Sequence, residues 1–262
     1  MPELKDQISN LIEFDSYPKR IISLVPSITE YLYDLGLEKE VVGITKFCVH
    51  PSNWREEKEI IGGTKQQHLD KIKDLKPDLI IASKEENVKH YVEKLSKICP
   101  VYVSDVNGFD TALEMMNDIG ELTGMSEKTK EINQNIRQKF DSIKKPNSNI
   151  KIAYCIWKSP WMWAGNDTFI SKMLAYSGFK NIITENRYPE IGISEIVKDN
   201  PDYIFLSSEP FPFQEKHIEE LKAEFPKANF IIVDGEMFSW YGSRMLKAPE
   251  YFNSLLDQLK TE

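Results

Sequence analysis

Apolar positions along this chain keep two rhythms. Short continuous runs rich in β-branched residues, RIISLVPS (20–27), VVGIT (41–45), VYVSD (101–105), IKIAYCIW (150–157) and FIIVDG (230–235), predict strands buried on both faces. Between them apolar residues recur every three or four positions, the spacing of a helix with one buried face. ITEYLYDLG (28–36) places Ile28, Tyr31, Leu32 and Leu35 on one side, with Ser27 positioned to cap its start and Gly36 to stop it. Further helices are predicted over 88–98, 109–122 and 168–177 and after Pro249. Strand and helix alternate, the pattern of a parallel sheet covered by helices.

One stretch breaks the rhythm. From Ser126, read as a cap, EKTKEINQNIRQKFDSIKK runs to about Lys145 with Ile132, Ile136, Phe140 and Ile143 as its apolar stripe. A stripe this thin on a helix roughly 28 Å long suits a strut that bridges two cores. On either side of it the chain repeats itself. LDKIKDLKPDLIIAS (69–83) and ISEIVKDNPDYIFLSS (193–208) share a helix, a Pro-Asp turn and a strand, 124 positions apart from Pro77 to Pro201. Solenoid units run about 20–50 residues, so a period of half the chain predicts two copies of one α/β lobe instead. The expected parse is an N-terminal lobe over 1–124, a connecting helix over 125–146 and a C-terminal lobe over 147–262, with Pro146-Asn147-Ser148-Asn149 as the linker candidate. The fold class predicted is α/β: two Rossmann-like parallel-sheet lobes joined by one long backbone helix, with a ligand cleft between the lobes, where small molecules commonly bind.

Charge narrows the partners. The formal balance is −8 with a pI near 5.3, which lacks the basic footprint of nucleic-acid binding. Nothing approaches the ~18 apolar residues of a membrane helix, so no membrane insertion is expected. MPELKDQISNLIEF carries no signal-peptide core. With Met1 as the native start the expected location is cytoplasmic; with a signal removed beforehand it is periplasmic or surface-anchored. Cys48, Cys99 and Cys155 are odd in number and far apart, which suits a reducing compartment and gives no disulfide framework. A monomer is expected.

Ligands of parallel sheets sit beyond the carboxyl ends of strands. In the first lobe that rule selects residues including Phe47, Cys48, His50, Lys65 and Glu86; in the second it selects Trp157, Trp161, Trp163, Tyr188, Glu209, Trp240 and Arg244. Any single aromatic there can equally pack the lobe, but Trp157, Trp161 and Trp163 crowd one loop with Pro160 and point to an aromatic-lined pocket for a large flat ligand. Cys48 and His50, two apart, offer a thiolate and an imidazole as candidate metal ligands, with Glu85 and Glu86 in the next loop. No nucleophile elbow, phosphate loop or HExxH pattern is present, and no enzyme activity is expected.

These segments resemble a family. RIISLVPSITEYLYDLG, GGTKQQHLDKIKDLKPDLIIA, the long polar helix, AGNDTFISKMLAYSGFKNI and FSWYGSRM together resemble the helical-backbone metal receptors, the ABC-type periplasmic binding proteins for vitamin B12, haem and iron-siderophores, with the cobalamin branch nearest. The resemblance covers nearly the whole chain. It implies two Rossmann-like lobes on a rigid helix and a bound metal chelate. By the same resemblance Trp240 and Arg244 match a pocket Trp and Arg, and Asp70 and Glu195 match the acids that dock onto a permease. The function expected is therefore a non-catalytic ABC-transporter substrate-binding protein for a cobalamin-like corrinoid or other bulky iron or cobalt chelate, with no intrinsic cofactor. Two alternatives stand beside it: a haem or iron-siderophore binding protein in iron transport, and an intracellular enzyme of corrinoid or metal metabolism on the same fold.

Overall fold

The computed structural model describes residues 3–13, 15–146 and 149–259. By its internal contacts the chain forms two compact units, the first built from Met1–Val106, Asp110–Ile136 and Tyr241–Arg244 and the second from Asn107–Phe109, Arg137–Trp240 and Met245–Glu262. Helix α6 of the numbering below contributes to both.

In chain order the first half holds β1 (Glu3–Lys5), β2 (Leu11–Glu13), β3 (Ile21–Ser23), α1 (Pro26–Asp34), β4 (Val41–Ile44), α2 (Trp54–Glu57), β5 (Glu59–Ile60), α3 (Leu69–Asp74), β6 (Leu79–Ser83), α4 (Lys89–Leu95), β7 (Val101–Ser104), α5 (Phe109–Thr123) and α6 (Ser126–Asp141). Five of its strands make a wholly parallel sheet in the order β5-β4-β3-β6-β7. The apolar runs read from the sequence are its centre: Ile22, Ile80 and Ala82 are fully buried and pack with Leu24, Ile61 and Ile72. The hairpin β1–β2 lies outside that sheet and has no counterpart in the sequence reading, because strands of three residues carry too little alternation to register. Its turn nevertheless has a use. Asp6 Oδ2 accepts from Val103 N at 3.1 Å and Gln7 Oε1 from Asp105 N at 2.8 Å, so two side chains cover an outer donor of edge strand β7 and the amide just past its end.

The second unit continues with β8 (Lys151–Trp157), β9 (Met162–Trp163), α7 (Phe169–Tyr176), β10 (Lys180–Asn181), α8 (Ile193–Lys198), β11 (Tyr203–Ser207), α9 (Glu215–Lys222), β12 (Asn229–Val233), α10 (Gly235–Ser239), a 3₁₀ turn at Ser243–Leu246 that starts in the first unit, and α11 (Ala248–Leu259). Its parallel strands run β10-β8-β11-β12, and β9 folds back antiparallel on β8. An α/β chain with a parallel sheet in each half is the fold class read from the sequence.

The internal repeat is visible atom by atom. α3–β6 and α8–β11 are its two copies, and the residue before each proline, Lys76 and Asn200, takes the left-handed conformation at φ 47°. The aspartate after each proline then reaches a neighbouring strand: Asp78 accepts from Lys19 N and Arg20 N at 2.7 and 2.8 Å, and Asp202 accepts from Lys151 N at 2.7 Å. Both aspartates also donate backbone N–H to that same strand entry, to Arg20 O and Lys151 O. Pro-Asp thus ties each β6-type strand to the start of the central strand beside it.

Two helix starts differ from expectation. α1 begins at Pro26, whose fixed φ suits the first helical position, with Val25 as the unaided cap; Ser27 lies inside the helix, buried. Ser126 is likewise the first residue of α6 rather than a cap. α6 also stops at Asp141, earlier than Lys145, where the Ser142 hydroxyl donates to Lys139 O at 2.7 Å and the backbone tightens to Ile143 N–Phe140 O. The stripe holds: Ile132, Ile136, Phe140 and Ile143 are all buried. Of the linker candidate, Asn147 and Ser148 lie outside the described residues.

Candidate functional site

In each parallel sheet the first strand in chain order, β3 or β8, has later strands on both sides, and the strand order reverses between β3 and β6 and between β8 and β11. Open α/β sheets bind ligands outside the carboxyl ends of strands at such points.

In the first unit the loop after β4 presents Phe47, 51% exposed, with Lys46 Nζ 5.0 Å from its ring centroid. Next to it Cys48 turns inward and is fully buried, its Sγ 3.1 Å from Thr29 Oγ1 and 3.3 Å from Thr45 Oγ1. Burial pushes that thiol's pKa up, which keeps it protonated and disfavours it as a metal ligand. His50 is half-buried, and among the described residues no group of three His, Cys, Asp or Glu is arranged to hold a metal ion. The thiolate–imidazole pair expected at Cys48 and His50 therefore gains no third ligand, and Cys48 behaves as a packed polar-pocket thiol. After β6, Lys65 on the adjoining loop is exposed and Glu86 half-buried, while buried Asn87 pins the two loops by donating to Thr64 O at 2.7 Å and accepting from Ser83 N. Asp70 projects from the first turn of α3, with Lys73 Nζ 3.5 Å from its Oδ1.

The late segment Tyr241–Arg244 belongs to this same unit. The Tyr241 hydroxyl hydrogen-bonds the Ser83 and Ser104 side chains at the ends of β6 and β7, and burial raises its pKa. Gly242 passes α1 at φ 93°, where a Cβ would stand 3.2 Å from Tyr31 Cβ. Arg244 Nε then donates to Glu30 Oε2 at 2.8 Å, with the two side chains 6% and 9% exposed. Arg244, which the resemblance matches to a pocket arginine, has its Nε engaged by a buried carboxylate of its own unit. Glu30 gave no local signal, being 214 positions away.

In the second unit the three crowded tryptophans separate. Trp163 is a core residue with no exposure, its indole N–H on Ile191 O at 2.9 Å, so the pocket wall expected of it is not formed. Trp157, 38% exposed, meets Phe211 edge-on at 5.6 Å. Trp161 stacks on Phe213 at an interplanar angle of 10°, and Phe211 and Phe213 are 4.7 Å apart, which joins the four rings into one aromatic cluster seated on Phe213 in the core. Phe211 and Phe213 were missed in the sequence, although the EPFPF run that carries them (209–213) was a signal of the same kind as the tryptophan cluster. Tyr188 is half-buried beneath the Arg187 guanidinium, 5.7 Å away, and Glu195 is exposed in the first turn of α8. Trp240 is largely buried, with its indole N–H on Glu209 Oε1 at 2.8 Å.

A family model described as periplasmic binding protein matches residues 21–228. The chain belongs to that family. Periplasmic binding proteins of this kind are solute-binding and non-catalytic. This one is 27% identical over 78% of its length to an uncharacterized ABC transporter substrate-binding lipoprotein of Bacillus subtilis, 68% of which is covered. It is 25% identical over 72% of its length to the vitamin B12-binding protein of Vibrio campbellii, with 70% of that protein covered. Among solved structures, a possible iron-binding (periplasmic solute-binding) protein of Staphylococcus epidermidis superposes with a TM-score of 0.77 at 26% identity, over 93% of this chain and 99% of the other.

Proposed function

We propose that this periplasmic binding protein is the substrate-binding component of an ABC transporter and that its cargo is a cobalamin-like corrinoid. The observation that carries the reading is where the exposed rings stand. Phe47 and Trp157, large apolar side chains left exposed, stand just past the carboxyl end of β4 and at the end of β8, and half-buried Phe211 and Trp161 continue from Trp157 over Phe213, which is buried in the core. Isolated exposed apolar residues need no explanation, but aromatics gathered at that end of a parallel sheet suit a broad flat macrocycle. We assign Phe47, Lys65 and Glu86 in one unit and Trp157, Trp161, Tyr188 and Trp240 in the other to the ligand, with Trp163 and Arg244 holding those surfaces from behind. The division into two lobes and a connecting helix belongs to the same proposal.

The chelate is cargo, not a resident cofactor, and the protein performs no chemistry on it. Asp70 and Glu195, exposed at equivalent turns of the two repeat helices, are the proposed permease contacts. The family and the lipoprotein relative support an extracytoplasmic working place, and the cytoplasmic location tied to Met1 gains no support from either. No helix among the described residues is long and apolar enough to cross a membrane. The solved relative described as possibly iron-binding supports the haem or siderophore alternative. Titrating the protein with cyanocobalamin, haem and a ferric siderophore, followed by tryptophan quenching and ligand absorbance, separates these readings: quenching by the corrinoid at micromolar or lower concentration is expected, and none with it refutes the proposal. Charge reversal at Asp70 and Glu195 is expected to lower ligand-stimulated ATPase of the reconstituted transporter while leaving ligand affinity unchanged.

A further inference from the structure

Glu209 stands two positions beyond β11, at the point where the order of the second sheet reverses. Ser239 Oγ and Trp240 Nε1 both donate to its Oε1 at 2.8 Å. The close approach of α10 that allows this depends on residue 235 being glycine, since a Cβ there would lie 2.6 Å from Glu209 Cγ and against Ser207 Oγ. The loop is fixed from the other side too, with the Ser207 hydroxyl on Glu209 O at 2.5 Å. One carboxylate oxygen is thus committed to the indole. The other, Oε2, accepts no hydrogen bond among the described residues, and Glu209 forms no ion pair with any of their Lys, Arg or His side chains.

Glu209 is half-buried, and its free oxygen is left available to an N–H donor. Burial, with Glu236 and Asp234 alongside, raises the pKa of Glu209, while the bonds from Ser239 and Trp240 favour its ionised form. Acids held in this state at ligand-bearing ends of sheets are functional candidates on physical grounds. Resting on the corrinoid reading above, we propose that Glu209 is a positioning and specificity residue: Oε1 orients the ring of Trp240, and Oε2 accepts an N–H from the ligand's rim, so that the site selects carboxamide-bearing chelates over carboxylate-bearing ones. A carboxylate on the ligand would meet a like charge at this oxygen; an amide N–H meets an acceptor.

The test compares cyanocobalamin with cobyrinic acid, which keeps the cobalt and the corrin ring but lacks the nucleotide loop and carries carboxylates in place of the peripheral amides, so the change of the ratio in Glu209→Gln, with the loop difference common to both proteins, isolates the amide contribution. Wild type is expected to prefer cyanocobalamin by about tenfold or more. Glu209→Gln retains an acceptor for Trp240 and turns the other arm into a donor, so the preference narrows by about tenfold while the Trp240 emission, obtained by difference from Trp240→Phe, is unchanged. Glu209→Ala is expected to alter that emission and to weaken cyanocobalamin by about tenfold, with native circular dichroism as the control for folding. Equal binding of the two corrinoids by wild type, or an unchanged ratio in Glu209→Gln, overturns this inference while leaving corrinoid binding intact. Binding of haem with neither corrinoid bound overturns both.

Discussion

Replacing Arg244 by methionine removes the guanidinium and keeps most of the apolar stem. In the native unit Arg244 Nε lies 2.8 Å from Glu30 Oε2, and neither side chain is more than 9% exposed. Unit charges at that separation attract by about 6 kcal/mol at an effective dielectric of 20. Relief of the guanidinium's own desolvation returns part of this, and removing one member of a buried pair is expected to cost about 3–5 kcal/mol net. Glu30→Leu should cost a similar amount. The double variant Glu30→Leu/Arg244→Met removes both charges and should recover most of the loss, leaving a coupling of about 2 kcal/mol or more. Urea unfolding of the four proteins, followed by far-UV circular dichroism and extrapolated linearly to water, gives each term. A single substitution costing under about 1 kcal/mol, or a double variant as unstable as the sum of the singles, refutes the buried-pair argument. The double variant also decides what Arg244 does for the ligand: full corrinoid affinity makes its role architectural, and a loss beyond about tenfold in a well-folded double variant makes it a direct contact.

Asp118 donates the next test. Burial raises its carboxyl to about 6 from an ordinary 3.8, and it accepts from the Tyr102 hydroxyl at 2.8 Å. The folded unit therefore holds an extra proton between those values, and stability falls as pH rises through that window. Asp118→Asn should gain about 1 kcal/mol on wild type between pH 4 and pH 7.5, the modest size reflecting a half-exposed, solvent-screened side chain; parallel pH profiles of melting would count against it. Gly120→Ala would drive a Cβ to 2.8 Å from Thr129 Cβ and onto Thr129 Oγ1, which itself bonds Tyr31, so a loss of about 2 kcal/mol is expected by denaturant melts, reduced when Thr129→Gly is added. Asp6→Ala strips Val103 N of its acceptor and opens edge strand β7; a cost of about 1–3 kcal/mol, faster exchange of the Val103 amide and self-association in sedimentation are the expected signs, and an unchanged exchange rate would contradict the edge-guard role.

The layout was largely legible because it rests on local rhythm. Runs such as Leu79–Ser83 and Tyr203–Ser207 are apolar on both faces, and the Lys76-Pro77-Asp78 and Asn200-Pro201-Asp202 turns announce the same unit twice. The site was legible only in its address. The strand-end rule led to Phe47, Trp157 and Glu209, but which way a ring faces depends on partners far along the chain: Trp163 falls inward because Ile191 O is there to take its N–H, and Trp161 lies flat because Phe213 does. Arg244 is the sharpest case, since its partner Glu30 sits on a helix whose sequence gives no reason to expect a buried acid. Ser27 fails for a smaller reason of the same type, a proline one position earlier having already set the helix start.

Tyr241, Gly242 and Arg244 complete the first unit, yet they leave the ribosome after the whole 137–240 run of the second. Domains ordinarily fold in the order of their synthesis, the N-terminal one first. Here the earlier half cannot finish early: until residue 244 emerges, Glu30 has no guanidinium and the ends of β6 and β7 lack the tyrosine that bridges them. The unit made first is the unit closed last, so a chain stopped before Tyr241 lacks the segment that carries the guanidinium for Glu30 and the tyrosine between β6 and β7.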